Sequence, residues 1–233
     1  MRGCLSVLVI AALFLGGVAW FGGPPIASTV VSAGLTASGL DARRMDVEVE
    51  ADPPIKVAIG RADRITIRAD DVEWNGLRAR ALDLTLDDVD ILGRTAGTAN
   101  GRMTGVELPN VDPPGSLATV EIAGPADDAT VTVTIDAETV EAMALAAFEA
   151  KLGVRPDSAT REVPNTIRVR AGAIQLAGTL EVAADGSIVV ETPLGTVTVV
   201  DGDPPQPFQL TDVAVENGNL VLTGSIDVND LMG

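Results

Sequence analysis

From Met45 onward apolar and polar residues mostly alternate, the two-residue period of strands with one face in a core. Met45-Asp-Val-Glu-Val-Glu sets apolar against acidic positions, and Ile55-Lys-Val-Ala-Ile repeats the alternation after Pro53-Pro54. A third strand is predicted from Ile65 through Val72 to Trp74, where Asn75-Gly76 supplies the residues of a tight hairpin turn. Beyond it Leu77 to Ile91 reads as one long strand, with Leu82, Leu84 and Leu86 on one face and Asp83, Thr85 and Asp87 on the other. Further strands are predicted at Gly101–Leu108, Leu117–Ile122 and Thr130–Ile135. A second series follows at Ile167–Val169, Ile174–Val182, Ile188–Glu191, Thr196–Val200, Phe208–Val215 and Asn219–Val228.

Two stretches leave this period. Over 137–152, Val140, Met143, Ala144, Ala147, Phe148 and Leu152 recur at helical spacing. Asp136 is placed to cap this helix, Glu138 and Glu141 favour its first turn, and Gly153 and Pro156 stop it. Residues 26–38 carry no charge and space Ile26, Val30, Ala33 and Ala37 as a shorter helix. Hairpins joined by short turns, interrupted by only two helices, define an antiparallel α+β fold rather than a doubly wound sheet. Each half offers a helix followed by closely turned strands, a repeat of pattern and not of residue identity.

The N-terminus has a different character. Arg2 precedes an uncharged run from Cys4 to Phe21. As a helix those residues reach about 27 Å at 1.5 Å per residue, close to the hydrocarbon thickness of a bilayer. Trp20 and Phe21 fall where aromatic residues favour a membrane interface, and Pro24-Pro25 ends the run. Gly17-Val18-Ala19 also offers the small residues of a signal-peptidase site, so retained anchor and cleaved signal both stand. Either places the remainder outside the cytoplasm, with residues 1–22 as the membrane segment and 23–233 as a single domain.

Composition narrows the chemistry. Thirty-three acidic side chains oppose 16 basic ones, a formal charge of −17, which disfavours nucleic acid. The chain has no His, and so lacks the usual general base near neutral pH and the commonest metal ligand. Cys4 is the single cysteine, which excludes an intramolecular disulfide. Acidic pairs occur at Asp70-Asp71, Asp87-Asp88, Asp127-Asp128 and Asp201/Asp203. Neighbours on a strand point to opposite faces, so these pairs read as solvated turn and strand-end groups, and no catalytic residue, metal site or cofactor is expected.

With aromatic residues at 3% and no Tyr, the interior must be built from Val, Leu, Ile and Ala. A long sheet with an aliphatic face, covered by two short helices rich in Ala, leaves an apolar tube if the helices do not fill it. A solid core is the simpler reading of the pattern alone. In the tubular reading Met143, Ala144, Ala147 and Phe148 form the wall, with Trp74 and Phe208 as further wall positions. Arg61, Arg64 and Arg68 are candidates for a lipid phosphate, since guanidinium binds phosphate bidentately. The plainer reading of these arginines is a solvated strand face that balances the acids.

Arg43 to Ile91 resembles the LmeA-type family of bacterial phospholipid-binding envelope proteins. Gly60, Ile65, Ile67, Ala69, Asp71 and Val72 supply one part of the family pattern, Gly76-Leu77 its turn, and Leu84, Leu86 and Val89 the next strand. Pro164 to Val169 and Leu222 to Leu231 continue the resemblance. It implies phospholipid binding, an envelope role, and long curved antiparallel sheets wrapped around one or two helices, as in tubular lipid-binding proteins. The expected function is therefore non-enzymatic binding of phospholipid or glycolipid acyl chains. The rivals are an envelope interaction module without a cavity and an enzyme acting on lipid-linked sugar.

Overall fold

A computed structural model of the chain describes residues 28–29, 31–33, 35–36, 40–74, 77–107, 117–153, 156–184, 186–200 and 209–232. The predicted membrane segment, Phe208 and the Asp201/Asp203 pair lie outside them. Among the described residues thirteen strands form two antiparallel sheets. The first half gives β1 (Leu40–Glu50), β2 (Arg61–Trp74), β3 (Leu77–Asp90), β4 (Thr98–Glu107), β5 (Leu117–Pro125) and β6 (Ala129–Ile135). Helix α1 (Ala137–Leu152) follows, then β7 (Ser158–Glu162), β8 (Thr166–Ala171), β9 (Ile174–Val182), β10 (Ile188–Thr192) and β11 (Gly195–Val200). The chain ends with β12 (Gln209–Glu216), β13 (Asn219–Ile226) and a short helix α2 (Val228–Met232). The larger sheet has the order β1-β2-β3-β4-β5-β6-β13-β12 and the smaller β11-β10-β9-β8-β7, the α+β arrangement of long antiparallel sheets that the period predicts.

The β2–β3 hairpin shows why the register is fixed. On its inner face Ile65 faces Leu86, Ile67 faces Leu84 and Ala69 faces Leu82, while on its outer face Arg64 faces Asp87 and Arg68 faces Asp83. A slip of one residue would turn every one of these side chains to the wrong face. The outer row extends across five strands as Asp46, Arg68, Asp83, Arg102 and Glu121, alternating in sign at each step. Opposite charges directly across a ladder stabilise it and like charges penalise alternatives, so this row specifies strand order as well as register.

A crease crosses the same sheet. Asp71 of β2 takes a positive φ of 50° and is ion-paired to Arg43 at 2.9 Å. Two strands further on, Gly105 takes φ 62° at a bulge between β4 and β5. A side chain at Gly105 would run into Arg80 of β3, so only glycine bends the strand here without displacing its neighbour. Such bends give the sheet its curvature.

Helix α1 begins where the sequence places it. The Asp136 carboxylate accepts from the Thr139 backbone N–H at 2.9 Å, and the helix ends at Gly153. The Thr139 N–H, chiefly, holds the Asp136 pKa below its ordinary 3.8. A depressed carboxylate stabilises the fold above its unfolded pKa and loses that contribution as pH falls through the folded value. Asp136→Ala is expected to cost about 1 kcal/mol at pH 7, by urea denaturation. Wild type and variant should converge in acid, and a pH-independent difference would contradict the capping account.

Three elements differ from the sequence expectation. Ile55 to Ile59 is not a strand but part of a 3₁₀ helix, Pro54–Ile59. Pro54 is preset for the first helical position, and the Gly60 N–H closes the turn on the Val57 carbonyl at 3.0 Å. Strand β7 was not predicted, since Ala159 is its sole apolar residue, and it exists by pairing along β8. The last strand stops at Ile226, because Asp227 accepts from the Asn229 N–H at 2.9 Å and starts α2 there. The helix predicted at 26–38 is represented by described helical residues from Ser28 to Thr36.

Candidate functional site

The buried residues of both sheets form one connected core. Helix α1 packs on β7, β8, β11 and β13. Val140, Met143, Ala144 and Phe148 lie on its inward stripe, each only 1% exposed, while Ala147 is half-buried beside them. The predicted helical wall is thus brought together, within the buried core between the sheets.

Open apolar space lies elsewhere, on the inner face of β2 to β5. A groove there is walled by Ile67, Leu82, Leu84, Leu86, Met103 and Ile122, with Trp74 at one end and Leu35 and Val228 against it. Of the predicted wall residues Trp74 lines it and the four α1 residues do not. The groove has a cause in the register. The inner row runs Val47, Ile67, Leu84, Gly101, Ile122, Val131, so the strand at its centre contributes no side chain. Ala69, Ala79 and Ala99 are also small. The small residues that create room are on the strands, not on the helix.

The groove has a volume of about 130 Å³, close to the roughly 150 Å³ of a cavity that accepts benzene. Its lining on β3 extends from Leu77 to Leu86, about 30 Å at 3.3 Å per residue, so it is long and narrow. Two clefts on the outer face are larger, about 370 Å³ each. Their rims are ion-paired side chains, among them Arg44–Asp70 at 3.2 Å and Arg78–Glu73 at 3.4 Å, so hydrocarbon there would lie among charges even where Ala69, Ala81 and Leu82 line the first.

The predicted arginines lie on β2 away from this groove. Arg64 is paired with Asp87 at 2.8 Å and Arg68 with Asp83 at 3.9 Å, both on the outer face, and Arg61 is exposed at the start of the strand. Arg168 holds Glu162 through two bonds of 3.0 and 2.9 Å, which lower the Glu162 pKa and raise that of Arg168. Asp63 is likewise lowered, first by Lys56 and then by the Asp52 N–H. These carboxylates are held ionised, the opposite of the raised pKa of a general acid. Among the described residues no three His, Cys, Asp or Glu side chains could hold a metal ion together. No helix among them is long and apolar enough to cross a membrane.

A curved antiparallel sheet whose inner face carries an open aliphatic trough has the surface chemistry to take a nonpolar ligand. The family model described as LmeA-like phospholipid-binding matches residues 18–225, and the chain belongs to that family. No curated protein and no solved structure matches it.

Leu82, Leu84 and Leu86 line the groove, although alternation alone marks them only as one face of a strand. The signal was there in β3: a leucine face opposite a strand bearing Gly101 and Ala99 leaves uncovered room.

Proposed function

We propose that this protein holds phospholipid or glycolipid acyl chains against the inner face of β2 to β5, as a non-enzymatic carrier outside the cytoplasmic membrane. The observation that carries the reading is the groove itself: aliphatic, elongated, and centred on Gly101 where a side chain would otherwise stand. Leu82, Leu84, Met103 and Ile122 are only partly buried although they pack on the core. Such surface costs about 25 cal/mol per Å² while it faces water. An acyl chain covering it recovers about 0.8 kcal/mol per methylene without any charged partner. Membership of a phospholipid-binding family supports the ligand class, and the uncharged run from Cys4 to Phe21 supports placement at the membrane.

Headgroup recognition in this reading is loose. Arg64 and Arg68 are engaged with aspartates on the outer face, so the polar end of the lipid stays in water at the groove mouth. Native mass spectrometry of the purified chain is expected to show adducts of phospholipid mass, released by organic extraction. Protein that remains lipid-free after expression and after incubation with phospholipid vesicles would favour an envelope interaction module instead.

A further inference from the structure

Three of the large apolar side chains left in solvent gather at one end of the larger sheet. Ile55 and Ile59 of the 3₁₀ helix are 46% and 62% exposed, and Leu92 of the β3–β4 turn is 78% exposed. The two loops are one construction. The Ile91 N–H donates to the Gly60 carbonyl at 2.7 Å, and Leu92 lies so close over Gly60 that a side chain there would strike it. Gly60 also takes φ 77°, which favours glycine. Asp63 ties the 3₁₀ helix down from β2, binding both Lys56 and the Asp52 N–H. Asp90 holds the other loop through the Gly93 N–H at 2.7 Å and a backbone bridge to Thr95. Exposed isoleucine and leucine on a floppy loop would fold back onto the protein. Here the backbone is braced so that they stay out.

Charge narrows what they meet. Over 52–63 and 90–95 the acids are Asp52, Asp63 and Asp90 and the bases Lys56, Arg61 and Arg94, three of each sign. The tip itself is neutral on a chain of net charge −17, while the neighbouring β5–β6 turn and α2 add Asp127, Asp128, Asp227 and Asp230 at the same end, so it suits a zwitterionic surface and not an anionic one. We propose that the tip formed by Ile55, Ile59 and Leu92 docks into the interface of a phospholipid bilayer, the aliphatic side chains entering the acyl region. A loop tip of this size gives shallow, reversible attachment, as amphipathic surfaces do. The tip terminates β2 and β3, the strands whose inner residues line the groove, so docking sets that end of the trough against the lipid. That use rests on the proposed lipid-holding role, whereas the docking itself does not.

The test uses the full chain with Cys4→Ser and one new cysteine, either Ile59→Cys or Thr198→Cys, the latter exposed on β11. Each is labelled with an environment-sensitive fluorophore and mixed with phosphatidylcholine vesicles brominated in the acyl chain. The label at position 59 is expected to shift to the blue and to be quenched severalfold more than that at 198. Equal quenching at both positions, or none at 59, would overturn the proposal. So would a label at 59 shielded from aqueous iodide before lipid is added, since the tip would then be covered by a second copy of the chain. Lipid adducts in native mass spectrometry are read on the same samples, and their presence or absence reports on the groove independently of the tip.

Discussion

Replacing Phe148 by alanine is expected to lower stability by about 3–5 kcal/mol, the range for emptying a buried aromatic site. Phe148 is the largest of the fully buried side chains, 1% exposed, on the stripe of α1 that also carries Val140, Met143 and Ala144. That helix packs on three strands of the smaller sheet and on β13 of the larger, so the void would open where the two sheets share a core. A domain of this size commonly has 5–15 kcal/mol in all, so the loss is a large share and the urea midpoint should fall steeply. The instructive part is the second readout. Phe148 does not line the groove of β2 to β5. Folded variant, prepared cold, should therefore carry as much phospholipid per chain as wild type. A variant of near-native stability that has lost its lipid would move the binding site to α1 and refute the assignment made above.

That contrast marks how far the sequence can be read. Alternation and Asn75-Gly76 locate β2 and β3, because one face of that hairpin is aliphatic and the other charged over fourteen residues each. Helix α1 is equally plain, since its apolar spacing, the Asp136 cap and Gly153 agree. The segment Ile55-Lys-Val-Ala-Ile misleads because Ile55, Val57 and Ile59 imitate a strand. What decides its shape is distant in sequence: Asp63 binding Lys56, and the turn at Leu92 lying over Gly60. Strand β7 has one apolar residue and owes its form to β8, a tertiary cause without a local signal.

The site was legible as a type of surface and not as a place. Met143 and Leu84 are both aliphatic residues on a periodic face, and nothing local says which face another layer will cover. Composition could suggest spare room from small residues, but the six alanines of α1 are more conspicuous than Ala69, Ala99 and Gly101 scattered over two strands. The ladder register alone sets Ala69 on the same inner face as Ala99 and Gly101, with β3 between them.

Filling the groove is expected to remove lipid and leave the fold standing. Met103 lies on the inner face of β4, two residues from Gly101, facing Leu82 on one side and Val120 on the other. It is partly buried and lines the open volume, so the indole of Met103→Trp can swing into space that is already there. Overpacking a tight core costs about 1–3 kcal/mol, and the open groove puts this change at the low end. Its effect on the ligand is larger. Displacing three or four methylenes from the groove forfeits about 0.8 kcal/mol each, which weakens binding on the order of a hundredfold. Titration with a phospholipid carrying a fluorescent acyl chain measures this, with urea denaturation on the same protein as the stability control. Undiminished affinity in a stable Met103→Trp protein would mean that hydrocarbon does not occupy the groove. If affinity and stability fell together, Met103 would be part of the packed core. A loss of binding at nearly constant stability is what a trough held open by Gly101 requires.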